Sequence, residues 1–220
     1  SVRLPAAKQS DRDEGVWQNI TTGIRIYLKT PRLRGLLALS LAVSSAGAMV
    51  IVNTVVYVRD TLGGSEGDTA MVLAAAGAGS MAVALLLPRM LDTYPDRPFM
   101  LAGGVVMGGA LIAALLQPGL FALLPVWFLL GAGSSLVQTP AGRLLKRSAH
   151  DADRPTVFAA QFALSHGCWL IAYPLAGWLG AGFGLGAAFA VLAALALLPP
   201  ELGTASEIVR QRVDASGDPL

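Results

Sequence analysis

One histidine stands out among the side chains that could do chemistry, because its surroundings in the sequence are apolar. His166 lies within a run, 155–200, that contains no lysine, arginine, aspartate or glutamate. The imidazole group can gain or lose a proton near neutral pH, and burying such a group in apolar surroundings costs free energy. His166 is therefore a candidate functional residue. The alternative is a neutral histidine that hydrogen-bonds to a neighbouring helix.

The only cysteine, Cys168, lies two positions after this histidine, which raises the possibility of a metal site. Positions two apart are separated by about 200° around a helix, so the two side chains point in nearly opposite directions. Both could bind one ion only if the helix unwinds or if other segments supply ligands. A small buried apolar role for Cys168 is the simpler interpretation, and we predict no metal site.

A few uncharged polar residues are further candidates for binding a substrate. Gln161 and Ser165 share a helical face near His166, while Asn53 and Gln138 lie in two earlier apolar runs. Each could instead hydrogen-bond across helices as part of the packing.

A serine hydrolase is another interpretation of these polar groups. Ser134 or Ser135 could supply a nucleophile and His166 a base. However, Gly-Ala-Gly-Ser occurs twice, at 77–80 and 131–134, which indicates helix packing rather than a catalytic site. We therefore predict that the chain is not an enzyme and needs no cofactor.

The elements that carry these residues are predicted to be membrane-spanning helices. Only 14% of the 220 residues are charged, and 54% are apolar. Four runs lack charge altogether: 35–58, 69–88, 98–142 and 155–200. A span needs about 20 apolar residues, and the two long runs break at Gln117-Pro118-Gly119 and near Gly180. The fold class is thus an all-α membrane protein with six spans, at about 35–58, 69–88, 98–116, 120–142, 155–178 and 181–199. This composition excludes a soluble enzyme, a nucleic-acid-binding protein and a disulfide scaffold.

The distribution of basic residues predicts the orientation. Successive loops between the predicted spans lie on alternate sides of the membrane. Of the 16 lysines and arginines, 15 lie on the side that holds both ends of the chain, and only Arg59 lies on the other side. Because cytoplasmic loops carry an excess of basic residues, both termini are predicted to be cytoplasmic. Residues 1–34 are predicted to form a cytoplasmic leader with an amphipathic surface helix from Val16, and 200–220 a cytoplasmic tail. The first residue is not Met, which suggests a fragment of a longer protein.

The loop after the second predicted span carries a resemblance to a known family. Its sequence, Leu87-Pro88-Arg89-Met90-Leu91-Asp92-Thr93-Tyr94-Pro95-Asp96-Arg97-Pro98, resembles the second copy of the signature loop of the major facilitator superfamily. Asp92 matches the aspartate of that pattern and Arg97 a basic position, with Arg89 close by. Prolines replace the glycines of the pattern, and Asp96 stands where a basic residue is usual.

Other segments add to the resemblance. The segment Tyr173-Pro174-Leu175-Ala176-Gly177 resembles the Pro/Gly helix kink of exporters in this superfamily, and 58–64 resembles bacterial efflux members. The resemblance implies the C-terminal six-helix half of a secondary transporter that exports a small molecule or ion by alternating access. Its expected partners are the lipid bilayer, the substrate and an N-terminal six-helix half, in the same chain or a second copy. His166, Gln161, Ser165, Asn53 and Gln138 would bind the substrate.

Two alternatives within this class are a self-pairing six-span transporter and a nickel-type metal exporter, since 165–173 resembles nickel-resistance members. The excess of arginine over lysine, with abundant alanine, leucine and glycine, suggests a GC-rich bacterium and hence its inner membrane.

Overall fold

Glycine, proline and polar residues divide the apolar sequence into a series of helices. The computed structural model describes the backbone of residues 16–198 and the side chains of residues 21–198. The predicted polar leader before residue 16, the last residue of the sixth predicted span and the tail at 200–220 lie outside the described residues. Within 16–198 there is no strand, so the described chain is all-α.

The described residues form seven helices. We label them α1 Val16–Lys29, α2 Pro31–Thr61, α3 Glu66–Leu91, α4 Asp96–Ala114, α5 Leu120–Ser148, α6 Arg154–Phe183 and α7 Leu185–Ala196. Helix α2 is α-helical over Pro31–Ala48 and contains two π-helical segments, Met49–Asn53 and Tyr57–Thr61, on either side of Thr54–Val56.

Four of the described helices, α2 to α5, are long and apolar enough to cross a membrane. Helix α6 has sufficient length, with 30 residues, but its polar residues Gln161, Ser165 and His166 lower its hydropathy. Helix α7 is apolar but has 12 residues, or about 18 Å, against a hydrocarbon core about 30 Å thick. The structure therefore shows a multi-pass membrane bundle with four candidate spans, and the fifth and sixth spans stay predictions.

Helix boundaries differ from the charge-free runs in two ways. The break predicted near Gly180-Ala181-Gly182 lies slightly later in the structure: α6 continues to Phe183, and the chain turns at Gly184, which adopts a φ of 83°. Glycine is tolerated inside a helix, so only the position that takes a positive φ ends it. In addition, α3 begins at Glu66 rather than at position 69. Ser65 and Asp68 form a capping box there, so the helix extends into the polar loop.

The amphipathic helix expected after the leader is α1, and the structure shows what covers part of its apolar face. Tyr27 is fully buried, and Ile24 packs against the core. A Cβ on Gly23 would lie 2.7 Å from both the Cγ2 and the carbonyl oxygen of Thr156, so α1 approaches α6 closely at this point. This face of α1 is thus covered by the protein itself, whereas the sequence suggested only a membrane surface.

Small residues bring α3 and α5 into backbone contact. A Cβ on Gly79 would collide with the carbonyl oxygen of Phe128, and one on Gly131 with the carbonyl oxygen of Ala76. Gly103 and Gly133 bring α4 and α5 together in the same way. Close approach of this kind stabilises helix pairs in lipid, where the hydrophobic effect gives no preference for protein over lipid.

Polar and aromatic side chains join α2, α5 and α7 at the far end of the bundle from α1. The rings of Tyr57, Trp127 and Phe189 pack with centroid separations of 5.9–6.3 Å. Trp127 donates a 2.8 Å hydrogen bond to Thr54, and the Tyr57 hydroxyl donates to the carbonyl oxygen of Pro118 at 2.9 Å.

We expect Gly79→Ala to destabilise the bundle by about 1–3 kcal/mol, because the added methyl group meets backbone that can yield only if α3 separates from α5. The matched control is Gly77→Ala on the same helix, where the new Cβ has no neighbour within 4 Å. Alanine is a better helix former than glycine, so the control should be neutral or slightly stabilised. Thermal unfolding of both variants in detergent measures the difference, and equal midpoints would contradict the assigned contact.

Candidate functional site

A cavity of about 300 Å³ opens between α2, α5 and α6. Five of its lining residues are polar, and Trp169 forms part of its otherwise apolar wall. The polar residues are Ser40 from α2, Gln138 from α5, and Gln161, Ser165 and His166 from α6. Among the residues with described side chains, 21–198, no carboxylate and no basic group other than His166 lines this cavity. The lining therefore suits a ligand that is recognised by hydrogen bonds and apolar contact rather than by charge pairing.

Four of the five residues predicted to bind a substrate meet in this cavity: Gln138, Gln161, Ser165 and His166. The fifth, Asn53, lies elsewhere. It is buried, its side chain donates a 3.1 Å hydrogen bond to the carbonyl oxygen of Ala176, and its Oδ1 would be 2.8 Å from a Cβ on Gly180. Asn53 thus connects α2 to α6, which is the packing role that the sequence left open.

The His166 ring is held by the residue one turn before it. Its Nδ1 lies 2.8 Å from the carbonyl oxygen of Phe162, and the two rings stack with centroids 4.0 Å apart. A carbonyl oxygen can only accept, so Nδ1 carries the hydrogen and Nε2 of the neutral ring is left as an acceptor. Ser165 donates to the same carbonyl at 3.0 Å. Phe162 was not predicted as a site residue, although its i, i+4 spacing to His166 could have indicated the contact.

The Gln161 amide is held by two further residues, Tyr27 and Ser40, that were not predicted as site residues. The Tyr27 hydroxyl of α1 hydrogen-bonds to Oε1, and Nε2 lies 3.3 Å from the Ser40 hydroxyl oxygen. Burial raises the pKa of the Tyr27 hydroxyl above its ordinary value, so this group stays protonated over the physiological pH range. No local sequence signal could have found this pair, because Tyr27 and Gln161 lie 134 positions apart.

A match to one protein-family model is consistent with this architecture. The family model described as Major Facilitator Superfamily matches residues 37–199, which include nearly all of α2 and the whole of α3 to α7. The chain belongs to the major facilitator superfamily. No curated protein and no solved structure gives a significant match. Membership of this superfamily indicates a transporter rather than an enzyme.

The loop that resembles the superfamily's signature loop is the turn between α3 and α4, and its buried acid is Asp96 rather than Asp92. Asp92, the position that matches the superfamily pattern, lies just after α3 with an exposed side chain, 3.9 Å from Arg143. Asp96 is 5% exposed and lies in the first turn of α4, where the helix dipole favours a negative charge. It pairs with Arg143 at 3.5 Å and with Arg147 at 3.0 Å. Arg89 and Arg97 are exposed.

The remaining predicted positions lie inside regular helix. Pro174 and Gly177 are both within α6, which stays helical through them. Proline has no N–H group, so Pro174 cannot donate to the carbonyl oxygen of Leu170 one turn earlier. A Cβ on Gly177 would be 3.7 Å from Val52, so this glycine faces α2.

The geometry gives little support to the two alternatives based on His166. Cys168 is buried and does not line the cavity, and among residues 21–198 no three His, Cys, Asp or Glu side chains could hold a metal ion together. Ser134 donates to the carbonyl oxygen of Leu130, and Ser135 pairs with Thr139. Ser134 also contacts Met107 Sδ of α4 at 3.4 Å, and neither serine lines the cavity with His166.

We expect Asp96→Asn to reduce stability by about 1–3 kcal/mol, because it leaves two arginines facing a neutral amide. The loss is smaller than for a fully buried pair, since Arg143 and Arg147 are 37% and 59% exposed. Asp92→Asn, the matched control in the same loop, should cost less than about 1 kcal/mol because its ion pair is long and exposed. Thermal unfolding of the two variants ranks them. A larger loss of stability for Asp92→Asn than for Asp96→Asn would contradict the structural role assigned to Asp96.

Proposed function

We propose that the chain is the C-terminal six-helix half of a secondary active transporter, which exports a small molecule or ion by alternating access. The observation that carries this proposal is the meeting of Gln138, Gln161, Ser165 and His166 in one cavity of an otherwise apolar bundle. Polar side chains inside a membrane bundle are costly unless they bind each other or a substrate. In this proposal the cavity is this half's share of the substrate site.

The exposure of the site in this half supports a two-half arrangement. His166 is exposed although it lies in the middle of α6, and the neighbouring Phe162, Leu170 and Ile171 are 62–76% exposed. An N-terminal six-helix half, in the same full-length chain or supplied by a second copy, would face the cavity and complete the site. Rocking of the two halves would then open the site to one side of the membrane at a time.

The lining favours a small uncharged molecule over a metal ion. A single imidazole is a poor metal site, because zinc and nickel sites use several nitrogen, sulfur or oxygen ligands. Trp169 and Phe162 offer aromatic surface next to the hydrogen-bonding groups. The direction of transport, export, is proposed from the resemblance of 58–64 to efflux members. The location in a bacterial inner membrane is proposed from the arginine-rich composition.

We expect His166→Ala to abolish or retune transport while the protein still inserts, because it removes the Nε2 acceptor from the cavity. Transport should be measured with the full-length protein in inverted membrane vesicles, across metal ions and uncharged aromatic compounds. His150→Ala is the matched control, since the other histidine is exposed between α5 and α6 and lies outside the cavity.

The His166→Gln variant adds a finer test, because its side chain can present a polar group near the position of Nε2. It should retain part of the activity that His166→Ala loses. Normal transport by His166→Ala would give His166 a purely structural role. Specific labelling of Ser134 or Ser135 by a serine-reactive probe would instead support the hydrolase.

A further inference from the structure

A chain of hydrogen bonds connects α1 to the cavity. The Tyr27 hydroxyl bonds to Gln161 Oε1, Gln161 Nε2 lies 3.3 Å from Ser40 Oγ, and Ser40 Oγ lies 2.8 Å from the carbonyl oxygen of Leu36. Gln161 and Ser40 line the cavity, whereas Tyr27 lies behind them and is fully buried. A residue outside the membrane-spanning helices thus contacts a cavity residue directly.

The direction of these bonds follows from donor counting. The Leu36 carbonyl oxygen can only accept, so the single hydroxyl hydrogen of Ser40 points to it. Ser40 must then accept from Gln161, which places the N–H side of the amide toward Ser40 and the oxygen toward Tyr27. The Tyr27 hydroxyl is therefore the donor in its bond to Gln161. If the amide were reversed, its oxygen would face Ser40, whose single hydroxyl hydrogen is already donated to the Leu36 carbonyl.

The position of Tyr27 is fixed by packing as well as by this bond. Gly23, one turn earlier on α1, lies against Thr156 of α6 so closely that a Cβ would be 2.7 Å from two of its atoms. Thr156 and Gln161 belong to the same helix, so the contact holds α1 against the part of α6 that carries the amide. Tyr27 can therefore act on Gln161 without moving.

We propose that Tyr27 is a positioning residue for the cavity, because its hydroxyl holds the Gln161 amide with its N–H side toward Ser40 and the substrate. Gln161 Nε2 has two hydrogens and Ser40 takes one, so the second can be donated to a ligand. The acceptor Nε2 of His166 lies in the same cavity. The inference rests on the proposed transport function and deepens it. The expected substrate class is a small uncharged molecule with a carbonyl or similar acceptor and a nearby donor.

The first arm of the test needs no substrate and examines the hydrogen-bond chain itself. Tyr27→Phe removes only the hydroxyl, and Gln161→Met keeps the length of the side chain without its hydrogen bonds. In the full-length protein, Tyr27→Phe should lower the unfolding midpoint by about 1–2 °C, the shift expected when a two-half protein loses one hydrogen bond. In the Gln161→Met background it should lower the midpoint no further, because the partner is already absent. If the stability losses of the two single variants simply add in the double variant, the hydrogen bond between Tyr27 and Gln161 is contradicted.

The second arm measures transport with pairs of uncharged aromatic compounds that differ by one carbonyl group. In the wild type the carbonyl member should have the lower KM. Tyr27→Phe should raise that KM roughly three- to tenfold, with little change in kcat, and should reduce the preference for the carbonyl member by the same factor. Gln161→Met should remove the preference. Tyr94→Phe, the same chemical change at an exposed tyrosine in the α3–α4 turn, should change neither value.

The two arms separate failure of the inference from failure of the proposed function. Suppose that the stability losses of Tyr27→Phe and Gln161→Met are not additive, but that Tyr27→Phe changes neither the KM nor the preference for the carbonyl member. Tyr27 would then be a structural residue only, and its positioning role would be overturned. If the stability losses are not additive but no tested compound is transported, the proposed function fails, and the role of Tyr27 in transport fails with it. A stronger preference for the carbonyl member in Tyr27→Phe would contradict the assigned orientation of the amide.

Discussion

The structure depends on one constraint: a polar group inside an apolar bundle must find its hydrogen-bond partner within the protein. Water and charged residues are scarce in such an environment, so a polar side chain bonds to another helix, to a backbone carbonyl of its own helix or to a neighbour in the cavity, and four residues illustrate these cases. Asn53 illustrates the first case and Ser134 the second. Gln161 and His166 illustrate the third, because each lines the cavity with hydrogen-bonding capacity left for a ligand.

This constraint explains how the helices can be packed through glycine and still hold a polar site. The contacts of Gly79 and Gly131 bring α3 and α5 together without using any polar side chain. The polar groups are then concentrated where α2, α5 and α6 leave a gap. Tyr27, which lies outside the spans, donates a hydrogen bond to the amide oxygen of Gln161, which would otherwise need a donor from the spanning helices.

The sequence was most informative where the chemistry is local. Charge-free runs located the four helices that are apolar and long enough to span, but they misplaced the end of α6, because nothing in the sequence distinguishes a helical glycine from one that takes a positive φ. Helical periodicity and polarity selected four residues that share the cavity. They could not separate Asn53 from that set, because a buried amide that bonds a carbonyl and one that lines a cavity look alike in sequence. Tyr27, Ser40 and Asp96 depend on partners distant along the chain, which no pattern in one sequence specifies.

The distribution of bonds along the bundle bears on how the proposed half would move. At the end away from α1, hydrogen bonds join Thr54 to Trp127, Tyr57 to the Pro118 carbonyl and Asn53 to the Ala176 carbonyl. At the basic end, Asp96 joins the start of α4 to the end of α5 through two arginines. The helices joined by these bonds are expected to move as one body, because separating α2 from α5 or α6, or α4 from α5, would leave a buried polar group without a partner. Opening of the cavity would then come from motion against the partner half, and the small ligand-dependent adjustments within this half would fall on the cavity side chains that retain free hydrogen-bonding capacity.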